Sequence, residues 1–225
     1  MAIAAGVAVG LGAWGWTGRN AAKTARTAAS GVPLPPEPPA VPSPPEEAIR
    51  RARAMPAAPL PLYLLDTWKP DGPISPRWKA VVVHHTATSG ATVEALDRVH
   101  RGRGMENGLA YHFVIGNGRG LADGAIHATP RWRRQLDGGH VRGAQHNRVA
   151  LGVCLVGDFE DGIGEPTDAQ VAALKALLDW LLDSCGLSDG DVRGHRDYPG
   201  QATLCPGRRL PLADILETRR IAVDK

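Results

Sequence analysis

Prolines at positions 33, 35, 36, 38, 39, 42, 44, 45, 56, 59 and 61 set the strongest limit on how this 225-residue chain folds. A stretch so dense in proline lacks backbone donors and holds φ near one value, so it cannot pack a core and tends toward extended polyproline II. Residues 31–63 are therefore read as a semi-stiff linker, with a short helix expected within it at Pro45–Ala54 (PEEAIRRARA). Ahead of it, residues 1–30 open on an apolar run from Ala2 to Trp16. That run lacks the charged n-region of a secretory signal and falls short of the ~20 residues of a membrane span. The basic residues Arg19, Lys23 and Arg26 that follow it favour a cytoplasmic C-terminal side, which counts against a simple anchor. Export or membrane anchoring is the favoured reading, which puts the protein outside the cytoplasm as a secreted, periplasmic or tethered chain. Residues 64–225 remain for the folded part, a length that suits one domain with one core.

Within that part the hydrophobic pattern alternates between two periods. Trp78–His84 (WKAVVVH) reads as a buried strand, Thr92–Arg101 as a helix with Val93, Leu96 and Val99 on one side, and Ala110–Gly116 (AYHFVIG) as a second strand. Gly118–Asp123 is expected to return as a third strand, and Ala125–Arg148 to form a long loop. Val149–Val156 reads as a central strand. Thr167 and Gln170 have the spacing of a capping box, and Val171, Leu174, Leu177, Leu178, Leu181 and Leu182 continue as an apolar stripe until Gly186 stops the helix. A last helix is expected over Pro211–Ala222. Strands mixed with helices of this kind predict an α/β domain, a mixed central sheet flanked by helices.

Net charge is only +3, and no nucleic-acid motif accompanies the Arg-rich run Arg131–Arg134, so nucleic acid is not an expected partner. Three cysteines do not make a disulfide framework. Cys154 lies in an apolar run and Cys185 ends an amphipathic helix, and both read as small hydrophobes. Cys205 stands before Pro206-Gly207 in polar surroundings, where a thiol can project from a turn. With His84 at a strand end and His195 after a short segment, it completes two imidazoles and one thiol, ligands suited to Zn²⁺ with a fourth position open. The distances along the chain are long, and composition alone supports an ordinary hydrogen-bonded histidine better.

Four blocks in order shift that balance: His84-His85-Thr86-Ala87-Thr88 after Val81–Val83, Ala110–Ile115, Leu151–Gly157, and Gly194-His195-Arg196-Asp197 with Cys205-Pro206-Gly207. Spanning about Trp78 to Leu210, they resemble the peptidoglycan recognition proteins and phage zinc amidases, the type 2 N-acetylmuramoyl-L-alanine amidases. The resemblance implies a zinc cofactor on His84, His195 and Cys205, and hydrolysis of the amide between N-acetylmuramic acid and L-alanine in peptidoglycan. It implies a catalytic Tyr111, a Thr203 facing the metal's water, and His140 as a substrate-contacting residue; an imidazole titrates in the useful range, so His140 is also a candidate proton donor. His85, on the opposite strand face, is given a groove-lining or packing role. The family's cysteine-bearing members usually have about two fewer residues between the second histidine and the cysteine, and Pro199-Gly200 reads as the insertion. Val153 and Cys154, where the recycling branch carries a glutamate, place the chain with the phage and recognition-protein branch.

A non-catalytic peptidoglycan-binding module is the alternative, and retention of all three ligands with Tyr111 favours the enzyme. A muropeptide substrate and a monomeric state are expected. His112 is expected to be structural, His100, His127 and His146 to face solvent, and Trp132 either to line a groove or to pack a loop.

Overall fold

A computed structural model describes residues 44–56 and 66–219. The Ala2–Trp16 run and most of the proline-rich stretch lie outside them. All described residues belong to one compact unit, Val41–Lys225.

A five-stranded sheet organises this unit. Its strands are β1 (Ala80–His85), β2 (Phe113–Ile115), β3 (Ile126–Ala128), β4 (Ala150–Leu155) and β5 (Val192–Gly194). Their spatial order is β3-β2-β4-β1-β5. β1 runs parallel to β4 and β5, β2 runs parallel to β4, and β3 is antiparallel to β2. Parallel strands covered on both faces need continuous apolar runs, which explains why Val81, Val82 and Val83 are all fully buried. The mixed sheet flanked by helices is the architecture expected from the alternating pattern.

Of the helices, α1 (Glu46–Ala54), α2 (Val93–Gly102), α3 (Pro130–Arg133), α4 (Ala144–Asn147), α5 (Asp168–Cys185) and α6 (Leu212–Arg219), the longest is α5. The Thr167–Gln170 capping box forms in both directions, and Gly186 ends α5 in the left-handed conformation that glycine adopts without strain. Leu174, Leu177, Leu178 and Leu181 are fully buried against Val81, Val83, Phe113, Leu151, Val153 and Leu155. Each leucine buried in this way stabilises the fold by roughly 1.5–3 kcal/mol. Period-2 alternation sends Val82, His84, Gly152 and Cys154 to the other face, because Val82 pairs with Gly152 and His84 with Cys154. The sheet thus has an apolar back under α5 and a front lined partly by histidine, cysteine and glycine.

Several local expectations change. Gly118–Asp123 is not a strand: Gly118 and Gly120 take positive φ, so the chain turns there and the antiparallel strand forms later, as β3. The supposed long loop Ala125–Arg148 holds β3, α3 and α4. Trp132 is completely buried in the back core, and its Nε1 donates to the Trp68 carbonyl, so it packs and lines no groove. His100 is buried, not solvent-facing, and His127 and His146 are half-buried. His112 is structural as expected, accepting from the Gly152 amide at 2.9 Å and donating to the Leu136 carbonyl at 3.0 Å.

The linker reading also gains a packed element. The helix expected inside it exists as α1, and it docks on the back. Lys175, fully buried on α5, donates to the carbonyls of Ala52 (2.7 Å) and Met55 at the end of α1. A buried ammonium is costly unless its hydrogens are satisfied. Here it meets helix-end carbonyls that otherwise lack partners. Arg53 adds ion pairs to Asp214 and Glu217 of α6. Among the described residues, no helix is long and apolar enough to cross a membrane.

Candidate metal centre

The register of two strands builds the front-face site. Val83 of β1 pairs with Gly194 of β5, so the residues that follow, His84 and His195, emerge side by side. Their ring centroids lie 4.4 Å apart. The turn bearing Cys205 is tied to the His195 turn (His195–Asp197) by a hydrogen bond from the Arg196 amide to the Cys205 carbonyl at 2.8 Å. His84, His195 and Cys205 each present a ligand atom, and these atoms all lie within 4.8 Å of one another. Cys205 Sγ is 3.7 Å from His84 Nδ1 and accepts from the His85 amide at 3.3 Å. The three residues read from the sequence as ligands therefore converge.

Their electrostatics suit a cation. Burial holds the His84 pKa well below its usual value, helped by His140, His195 and His85 nearby. Burial also lowers His195, partly offset by its hydrogen bond to Gln201. Both imidazoles are then neutral and keep a lone pair at neutral pH. Burial pushes the Cys205 thiol up to about 12, and a metal ion at the sulfur is what would reverse that. Two neutral imidazoles and one thiol fit a borderline metal such as Zn²⁺ with one open position.

Tyr111 stands just before β2, its ring centroid 5.1 Å from that of His84. Burial, followed by the Cys154 and Cys205 thiols beside it, raises its hydroxyl well above the usual range, so it stays a proton-bearing donor. Thr203 Oγ1 accepts from the Cys205 amide at 3.2 Å, which shapes the ligand-bearing turn. His140, from the loop preceding α4, brings its Nδ1 to 3.0 Å from His84 Nε2 and its Nε2 to 3.1 Å from the Ala150 carbonyl. Burial drives its pKa down to about 3. His85 Nδ1 accepts from the Phe159 amide at 3.2 Å and lies 3.6 Å from Asp158 Oδ1. His140, expected to contact substrate, and His85, expected to line a groove or pack, are both buried, at 7% and 8% exposure, with ring nitrogens engaged by protein groups. Beyond the strand ends opens a cleft of about 410 Å³ lined by Thr88, Asn117, Arg119, Asp158 and Thr167 among others.

Three residues around the site escaped the sequence reading. Gln201, in the turn that contains Pro199-Gly200, places Oε1 3.2 Å from His195 Nε2. Asn147 accepts from the amides of His140 and Val141 at 2.9 and 3.2 Å. Gly152 lies under the His140 ring, where an added Cβ would fall 2.5 Å from Cδ2. Only Gly152 carried a signal, because a glycine inside a strand often marks a close approach.

Comparison with known proteins covers this same ground. The N-acetylmuramoyl-L-alanine amidase family profile matches residues 74–208. The N-acetylmuramoyl-L-alanine amidase LysC from Clostridium intestinale URNW is 28% identical with a TM-score of 0.52, covering 66% of this chain and 90% of that one. The endolysin amidase LysCS from the same organism is 28% identical at a TM-score of 0.52, covering 66% and 88%. Human PGRP-IBETAC, solved in complex with glycosamyl muramyl pentapeptide, is 25% identical at a TM-score of 0.49, covering 64% and 84%. No curated protein matches the chain. Since the profile runs from ahead of β1 to just past the Cys205 turn and so takes in every residue of the cluster, the chain belongs to the N-acetylmuramoyl-L-alanine amidase family.

Proposed function

We propose that this protein is a zinc-dependent N-acetylmuramoyl-L-alanine amidase, which hydrolyses the amide joining the lactyl group of N-acetylmuramic acid to the L-alanine of the stem peptide. One observation carries the reading: His84, His195 and Cys205 present ligand atoms within 4.8 Å of one another, with the Tyr111 ring beside His84. Membership of the family and the likeness to two amidases of Clostridium intestinale support it. A purely structural zinc site usually has four protein ligands, and three are grouped here.

His84, His195 and Cys205 would hold the ion. When bound, Zn²⁺ supplies Lewis acidity toward the amide carbonyl and makes hydroxide available from water near neutral pH. Tyr111, kept protonated by its surroundings, donates a hydrogen bond to the carbonyl oxygen as negative charge grows there. Thr203 accepts from the Cys205 amide, and that bond leaves its own O–H uncommitted as a donor. His140 carries one proton, and that proton is committed to the Ala150 carbonyl. A ring whose pKa is pushed to about 3 holds no second proton to give to the leaving amine at neutral pH.

The test uses the full chain. Bound zinc is measured, and the protein is incubated with purified peptidoglycan. Stem peptides released with a free L-alanine amino terminus, and lost in Cys205→Ala and on chelation, establish the enzyme. One zinc per chain without release points to a binding module, and neither zinc nor release overturns the ligand assignment.

A further inference from the structure

We propose that His140 and Gln201 are positioning residues that decide which nitrogen of each histidine ligand is free to bind metal. The inference rests on the metal reading above and adds an outer layer to it. A backbone carbonyl can only accept, so the bond between His140 Nε2 and the Ala150 oxygen requires the hydrogen of His140 to sit on Nε2. A buried, neutral imidazole has one N–H, which leaves His140 Nδ1 with a lone pair. That lone pair is 3.0 Å from His84 Nε2, and a hydrogen bond forms there only if His84 carries its hydrogen on Nε2. His84 Nδ1 is then the lone-pair nitrogen, and it is the nitrogen that faces Cys205 Sγ. A main-chain oxygen on β4 thus dictates, through two rings, the tautomer of a ligand on β1.

His195 is treated in parallel. Gln201 Oε1 accepts from the Arg142 amide at 2.8 Å, while its Nε2 donates to the carbonyls of Arg142 and Pro199 at 3.2 and 3.1 Å. Those bonds fix which end of the amide faces the histidine. The oxygen stands 3.2 Å from His195 Nε2, so His195 donates from Nε2 and keeps its lone pair on Nδ1. Both controls depend on one segment, residues 138–147. Asn147 closes it by accepting from His140 and Val141 and donating to the carbonyls of Val141 and Gly143. Gly152 gives the His140 ring its place against β4. Hydrogen bonds of this kind orient ligands and typically change metal affinity 10–100-fold when removed.

The experiment reads tautomers and affinity, not turnover. Nitrogen NMR of the ¹⁵N-histidine-labelled, metal-free full chain should show His84 protonated at Nε2 and bare at Nδ1. The reverse tautomer in the wild-type chain would overturn the proposal without recourse to any variant. Zinc affinity is then measured by chelator competition. His140→Ala should weaken it by roughly 10–100-fold and mix the His84 tautomers. His140→Gln, whose amide oxygen can accept from His84 while its NH₂ donates to Ala150, should hold affinity within a few-fold of wild type. Gln201→Ala should weaken binding less, because Gln201 is more exposed. Equal affinity in His140→Ala and wild type, or His140→Gln as weak as His140→Ala, sinks the idea. A wild-type chain that binds no zinc would instead remove the metal reading, and the metal-free tautomer would still decide the inference.

Discussion

The two faces of the sheet are built from the same strands by different means. Behind it, Val81, Val83, Leu151 and Val153 meet an unbroken stripe of leucines on α5, and stability comes from buried apolar area. In front, Val82, His84, Gly152 and Cys154 face short segments drawn from four separate stretches of chain: the Tyr111 turn, the 138–147 loop, the His195 turn and the Cys205 turn. Those segments are held by directed hydrogen bonds, many from side chain to backbone. A back of this kind tolerates small shifts and punishes voids. A front of this kind tolerates little change in who donates to whom and adds less to global stability. The chain therefore separates where it is stable from where it is specific.

Four changes to the chain, three substitutions and one truncation, break or sharpen that contrast. Leu177→Ala, on the fully buried stripe, should cost about 2–5 kcal/mol of unfolding free energy, read by urea titration. The zinc affinity of the folded fraction should not change. Tyr111→Phe should do the opposite, lowering kcat roughly 10²–10³-fold as the loss of one oxyanion donor does. Its zinc content and urea midpoint should stay near wild type, and a collapse of stability would place Tyr111 with the core instead. Deleting residues 1–56 strips Lys175 of its acceptors at Ala52 and Met55. That should cost about 2 kcal/mol, on the scale of a hydrogen bond to a charged group, and much less when Lys175→Met is also present. Unequal behaviour in the two backgrounds separates the lysine's satisfaction from the packing of α1 itself. The smallest effect is expected at Asp97, which accepts from Arg101 and from the Leu109 amide two residues before Tyr111. The Arg101 bond first, and the Leu109 bond second, hold its carboxyl below the usual range. A lowered native pKa means stability that is present above about pH 4 and lost as pH falls through the native value. Asp97→Asn should therefore flatten the drop in urea midpoint between pH 5 and pH 3.

How much of this was legible in the sequence follows the same divide. The Val81–Val83 run, the Thr167 cap and the leucine stripe are local patterns, and each became the element it predicts. The third strand was misplaced because Gly118 and Gly120 turn the chain where a strand was expected, which composition alone does not disclose. His84, His195 and Cys205 were readable as ligands only through the order of their surrounding blocks, since no local spacing joins residues so far apart. Gln201 and Asn147 were not readable at all. Gln201 works by satisfying main-chain groups of a distant segment and Asn147 by satisfying those of its own loop, and no local pattern announces either set of partners. His100 differs from its expected exposure for a related reason: its ring is buried edge-on against Tyr111, a contact outside its own helix, while Arg98, Arg101 and Arg103 around it suggest a solvent-facing stretch.

The seating of α1 on the back has a mechanical meaning. Tension entering the described domain through Glu46 would first meet α1, with its grip on Lys175, its ion pairs to α6 and its contacts with α5. It would have to shear those before it could strain the strands. The ligand-bearing ends of β1 and β5 lie across the sheet from that anchorage. A pull on the chain from that end would therefore load this joint before it reached the strands that carry His84 and His195.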